Sequence, residues 1–128
     1  MKRVTGIGGI FFKSEDPQKL REWYGNHLGL AITEWGSTFQ WKDLAKPDTE
    51  LPARTEWSPF KNDTTYFSPS EKPFMFNYRV ENLVELMKAL REEGVTIVGE
   101  IEEFSYGKFG WIMDPEGNKI ELWEPVDG

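Results

Sequence analysis

Two glutamates stand where an apolar side chain would be expected. Glu121 lies between Ile120 and Leu122 in "WIMDPEGNKIELWEP", and Glu56 lies beside Trp57 in "RTEWS". Carboxylates on strands that otherwise favour burial can do three kinds of chemistry. Held close together in a water-poor site, one has its pKa raised and becomes a general acid or base. They can offer oxygens to a divalent cation such as Mg or Ca, which wants six or more. They can also hold the polar end of an organic ligand whose remainder is apolar.

The chain's bulk properties narrow the setting. Its 128 residues allow one domain with a real core. The absence of cysteine removes disulfides, thiolate metal sites and a Cys nucleophile. A formal net charge of -7 argues against nucleic acid, whose binding is dominated by cations meeting phosphates. The opening "MKRVTGIGGIFF" shows no signal-peptide pattern, and no apolar stretch is long enough to span a bilayer, so a cytoplasmic protein without a membrane partner is expected. Nine Phe, six Trp and four Tyr must either fill a core or line an apolar pocket.

The elements that position the glutamates are written twice. A strand around Ile10–Lys13 precedes Asp16, a good N-cap with Pro17 at the first helical position. Leu20, Trp23, Tyr24 and Leu28 share one helical face, and Gly29 supplies a left-handed C-cap. "AITEW" and "TFQWK" read as a hairpin about Gly36 and Ser37, and a polar loop with Pro47 and Pro52 leads to "RTEWS". The second half follows the same order. "FMFNYRV" is a strand; Asn82 caps a helix whose apolar face is Leu83, Leu86, Met87 and Leu90, ended by Gly94. "VTIVGEIEEF", "FGWIM" and "KIELWEP" follow as strands.

The two copies keep register. Asp16 and Asn82 are 66 residues apart, as are Leu20 and Leu86, and Glu56 and Glu121 are 65 apart. Phe39-Gln40-Trp41 recurs as Phe109-Gly110-Trp111. Each half therefore reads β-α-β-β-β, a tandem repeat of one unit in an α+β chain. The first module spans about 4–60, the linker about 61–72 and the second module about 73–126 of one domain covering 1–128. Phe60, Tyr66 and Phe67 are expected to tack the linker onto the protein surface.

With these motifs the chain resembles the vicinal oxygen chelate superfamily of glyoxalases, bleomycin-resistance proteins and extradiol dioxygenases. The resemblance rests on "FFKSEDPQKLREWYGNHLGL" and "WIMDPEGNKIELWEP" at the expected separation. It implies two modules whose mixed sheets curl around a ligand cavity, and a homodimer. In metal-using members a His on the first strand and a Glu on the last strand of each module share one ion. Those addresses fall here on Gly9, Glu56, Met75 and Glu121, so both carboxylates are kept and neither histidine is. Mid-row transition metals favour imidazole over two carboxylates alone. No resident metal or other cofactor is therefore expected, with a weakly bound divalent cation as the alternative. His27, in the last turn of the first helix, is expected to face solvent, and "TGIGG" precedes a strand, so it is no phosphate loop.

Strand alternation assigns the cavity wall. Ile120 and Leu122 should face a helix, leaving Lys119, Glu121 and Trp123 on the concave face. Steps of two from Gly9 and Met75 add Phe11, Lys13, Asn77 and Arg79, with Lys13 and Arg79 at the rim. The repeated Phe-x-Trp strands contribute Phe39 with Trp41, or Phe109 with Trp111 and Met113. The expected ligand residues are thus Phe11, Trp41, Asn77, Trp111 and Trp123, with Glu121 and Glu56 as candidate catalytic groups. The preferred reading is a protein that binds a small organic molecule in an aromatic cavity without a His-ligated metal. A lyase, isomerase or epimerase, similar to lactoylglutathione lyase and using Glu121 and Glu56, is the first alternative. A non-catalytic protein with a filled barrel is the second; there Glu121 would pair with Lys13, Arg54 or Arg79.

Overall fold

In the first module, β1 (Val4–Ser14) leads through α1 (Pro17–Leu28) to β2 (Ile32–Thr33), β3 (Gly36–Asp43) and β4 (Lys46–Lys61). In the second, β5 (Phe74–Val80) leads through α2 (Leu83–Glu92) to β6 (Ile97–Phe104), β7 (Gly107–Met113) and β8 (Lys119–Pro125). The structure is a computed structural model and describes residues 2–126, apart from the side chains of residues 43, 47 and 50. The expected α+β fold of two tandem βαβββ modules is what forms.

All eight strands join one mixed sheet in the order β2-β3-β4-β1-β5-β8-β7-β6. The first strand of each module pairs in parallel with its last, β1 with β4 and β5 with β8. The modules meet within the chain through the antiparallel β1–β5 pair, so the sheet is symmetric about its centre. Each Glu-bearing strand thus lies one strand away from that junction.

The helices form where their caps lie. Asp16 accepts from the Lys19 backbone N–H at 3.0 Å and Asn82 from that of Glu85 at 3.2 Å, satisfying N–H groups the helix leaves orphaned. Asp16→Ala is expected to cost about 1 kcal/mol in chemical denaturation. The two helices bury unequal faces. On α2, Leu83, Leu86 and Met87 pack with Val80 and Leu122, while Tyr78, Leu90, Ile97, Ile112 and Ile120 close the cluster. That places Ile120 and Leu122 on the helix side, as alternation required. No residue of α1 is buried; Trp23 and Leu28 of its expected apolar face stay exposed, and Tyr24 packs against Trp57, ring centroids 4.6 Å apart. His27 is exposed beside the Trp23 ring.

Three local expectations are corrected. The first hairpin turns at Glu34–Trp35, with Gly36 and Ser37 already in β3, because the Thr33 hydroxyl accepts the Trp35 N–H and closes the turn early. The loop expected around Pro47 and Pro52 is the first part of a 16-residue β4. The linker is more than tacked on. Phe67 is only 1% exposed and packs with Met75 and Trp111, joined by Phe11 and Phe60, so it fills part of the concave face.

Candidate functional site

One cross-strand row carries both glutamates. In direct register across the sheet run Thr38, Glu56, Gly9, Asn77, Glu121 and Trp111. Cross-strand neighbours on one face are within side-chain reach, and the row uses that proximity. Thr38 Oγ1 donates to Glu56 Oε2 at 2.6 Å, Asn77 Nδ2 to Glu121 Oε1 at 2.6 Å, and Trp111 Nε1 to Glu121 Oε2 at 2.9 Å. Met75 lies outside the row: it pairs with Phe11 and is fully buried in the aromatic cluster, and Asn77 is the residue opposite Glu121.

Glu121 is 2% exposed. Its remaining donor is the Tyr66 hydroxyl, brought in by the segment between the modules. Tyr66 is tied to β8 a second time, through its carbonyl, which accepts from Lys119 Nζ at 2.7 Å. That ammonium lies over the Tyr66 and Trp111 rings, at 5.3 and 5.6 Å from their centroids. Where charged partners in Lys13, Arg54 or Arg79 were the filled-barrel expectation, the hydrogen bonds to Glu121 among the described residues come from three neutral donors.

Burial dominates the electrostatics. It pushes the Glu121 carboxyl above the usual range, against the hydrogen bonds from Tyr66, Asn77 and Trp111 and the charge of Lys119. It pushes the Tyr66 hydroxyl up as well, reinforced by the adjacent carboxylate, and pulls the Lys119 ammonium down. Glu56 and Glu121 do not form a close dyad. The rise at Glu121 comes first from desolvation and not from a neighbouring carboxylate, and Glu56 is held by Thr38 and Arg54.

A cavity of about 600 Å³ opens over this row. Its wall includes Phe11, Glu56, Asn77, Glu121 and Trp123 among the residues singled out from sequence. Trp111 and Trp41 are placed otherwise. Trp111 sits behind Glu121, and the Trp41 ring lies against Gly6, where a Cβ would be 2.1 Å from it. Arg79, expected at the rim, is 4% exposed, with its guanidinium 5.4 Å from the Trp41 ring and 5.2 Å from that of Trp123. A cation between two indole faces remains stabilised away from water. The glycines of "TGIGG" serve these contacts: a Cβ on Gly8 would lie 2.2 Å from Asn77 Oδ1 and 2.9 Å from Trp123.

Sequence reasoning missed Tyr66 as a partner of Glu121, because nothing local marks a linker tyrosine as reaching a strand 55 residues away. It placed Lys119 on the right face and assigned it no partner. It also passed over Trp35, Trp57 and Tyr106, all on the cavity wall. Phe109, offered with Trp111 by the repeated Phe-x-Trp, does lie on that wall.

The site does not fit the His-ligated ion of the metal-using relatives. Glu56 is held by Thr38 and by Arg54 Nε at 3.0 Å, Glu121 takes three donors, and Gly9 offers no side chain. Among the described residues no group of three or more His, Cys, Asp or Glu side chains could hold an ion.

Comparison with known proteins agrees with this architecture. The methylmalonyl-CoA epimerase of Mycobacterium tuberculosis is 19% identical, with a TM-score of 0.64 over 98% of this chain and 91% of that one. A variant of the Streptomyces coelicolor methylmalonyl-CoA epimerase, in complex with 2-nitronate-propionyl-CoA, is 14% identical with a TM-score of 0.70, covering 98% and 99% of the two chains. The Mn(II)-bound glyoxalase of Novosphingobium aromaticivorans is 13% identical with a TM-score of 0.65, covering 99% of this chain and 41% of its own. At these identities the likeness is one of fold. A search of curated proteins finds no match. The sequence model of the glyoxalase/bleomycin resistance protein/dioxygenase superfamily matches residues 6–122, and with the paired modules and the cavity between them this chain belongs to that superfamily.

Proposed function

We propose that the protein binds a small organic molecule in the cavity over the Glu56–Glu121 row, without a His-ligated metal. The observation that carries this is an open, aromatic-walled space with a buried carboxylate in its wall. Phe11, Trp57, Phe109 and Trp123 supply apolar contact, and Glu56, Asn77 and Glu121 supply the few polar groups such pockets use for orientation. The linker aromatics fill the concave face beside Met75, so the ligand has the space they leave. Two measurements test the reading. Titration with a panel of aromatic compounds is expected to quench tryptophan fluorescence through Trp57 and Trp123; no quenching across the panel favours the filled barrel. Metal analysis of purified protein is expected to find no stoichiometric Zn, Ni or Fe. Such a metal, lost in Glu121→Gln, overturns the reading.

A second reading is an epimerase, isomerase or lyase in which Glu121 exchanges a proton with the substrate. It is favoured by the upward push on the Glu121 carboxyl, which moves a carboxylate toward the pKa of a working acid or base at neutral pH. The epimerase structures among the fold relatives point the same way. Its test is solvent deuterium incorporation into a bound carbonyl compound, abolished by Glu121→Gln. A homodimer belongs to both readings and is supported by exposed Ile7, Ile10, Trp23 and Phe76; sedimentation equilibrium decides it.

A further inference from the structure

Two hairpin tips, one from each module, reach the same cavity. Trp35 sits in the turn between β2 and β3, and Tyr106 in the turn between β6 and β7. Both turns follow one local design, an aromatic residue and then a glycine at positive φ: +139° for Gly36 and +145° for Gly107. A Cβ on Gly36 would lie 1.9 Å from the Trp57 carbonyl oxygen, and one on Gly107 would lie 2.5 Å from Trp123 Nε1. Only glycine lets either tip press so closely against the last strand of its own module.

The backbone of each aromatic is then latched to that strand. Ser58 Oγ on β4 donates to the Trp35 carbonyl, and Trp123 Nε1 on β8 donates to the Tyr106 carbonyl at 3.4 Å. The side chains are treated in the opposite way. Trp35 is 75% exposed and Tyr106 53%, although both line the cavity. Residues that are exposed and also line a cavity stand at its opening. A single exposed aromatic needs no explanation; two at equivalent places of a repeat, held by equivalent latches over one opening, do. Inward from Tyr106 the rings continue, with Phe109 at 5.8 Å and Trp123 stacked on Phe109 at 5.9 Å and 5°.

We propose that Trp35 and Tyr106 are ligand-contacting residues, an aromatic pair that stacks on a flat ring entering the cavity. The ligand class is a planar aromatic compound with a polar group at one end, directed toward the Glu56–Glu121 row. This rests on the cavity reading given under the proposed function. A saturated ring of the same outline gains apolar contact but lacks the ring–ring attraction that aromatic pairs add to burial.

The experiment uses 2-naphthol and its saturated counterpart, decahydro-2-naphthol, with binding read by calorimetry. Wild-type protein is expected to prefer 2-naphthol. Trp35→Ala and Tyr106→Ala are each expected to weaken it by roughly fivefold to tenfold, to weaken the saturated compound by clearly less, and to fold normally, since both side chains are largely in water. Trp35→Phe is expected to keep most of the affinity. Suppose 2-naphthol binds, with NMR contacts to Phe11, yet both alanine variants keep its affinity. The aromatic pair is then overturned and the cavity reading stands. If wild-type protein does not bind 2-naphthol, or binds it no better than the saturated compound, the aromatic pair is overturned, and the compound panel decides the cavity reading.

Discussion

Glu121→Leu is expected to lower the free energy of unfolding by about 2–5 kcal/mol, read from chemical denaturation. The carboxylate is the shared acceptor of Asn77, Trp111 and Tyr66. Leucine leaves Asn77 Nδ2 and Trp111 Nε1 without a partner in a dry site, and each orphaned donor costs about 1–3 kcal/mol. Tyr66 is partly exposed and can turn to water. Glu121→Gln is expected to be much milder, for a reason specific to this site. The glutamine carbonyl still accepts from Trp111 and Tyr66, and the Asn77 amide can rotate to accept from the new NH2 through Oδ1, which has no partner among the described residues; Nδ2 is then the one donor orphaned, against two in the leucine variant.

The same pair of variants has a pH signature. Burial raises the folded-state pKa of Glu121 above its ordinary value of 4.5. Folding therefore favours the protonated carboxyl. The resulting stabilisation is fully present below about pH 4.5 and is lost as pH rises through the raised value. Wild-type protein should lose stability relative to Glu121→Gln across that window. A difference that does not change between pH 4 and pH 8 shows that the donors offset burial completely.

Gly36→Ala is the second large effect, an expected loss of about 2–5 kcal/mol. Two costs combine: a φ of +139°, which L-residues rarely adopt, and a Cβ placed 1.9 Å from a backbone carbonyl that cannot rotate aside. Gly29→Ala is the internal control. It too has a positive φ, +72°, but open space around the added methyl, so only the conformational cost of roughly 1–2 kcal/mol remains. Equal losses in the two variants would mean that the hairpin tip yields, and that the contact between Gly36 and Trp57 does not hold Trp35 in place.

Much of the fold was legible because it is periodic. Asp16 with Pro17, and Asn82 with the Leu83–Leu86–Met87 face, specify two helices through capping and 3.6-residue spacing, both local in sequence. Alternation on β8 sorted Leu122 to the helix side and Glu121 to the concave side before any contact was known. The errors came where local rules met tertiary ones. The stripe on α1 has the pattern of a buried face, yet Trp23 and Leu28 stay exposed, because periodicity says which residues share a face and not how much protein lies opposite. Pro47 and Pro52 look like loop residues and lie in a strand, since proline is tolerated where no ladder hydrogen bond is needed.

The sequence by itself determined that two carboxylates occupy equivalent strand positions in a doubled chain, and that its one histidine, His27, stands on the first strand of neither module. Residue identity and spacing are enough for that. Only the tertiary structure decided what surrounds Glu121. The Tyr66 hydroxyl, the Lys119 ammonium over two rings, and Asn77 in the place beside Glu121 all depend on strand register and on the path of the segment between the modules. Register is a relation between segments far apart in the chain, and a one-residue slip would turn Lys119 or Asn77 to the opposite face. The apolar pattern places a carboxylate on the concave side; the pairing of β5, β7 and β8 determines which groups hold it there.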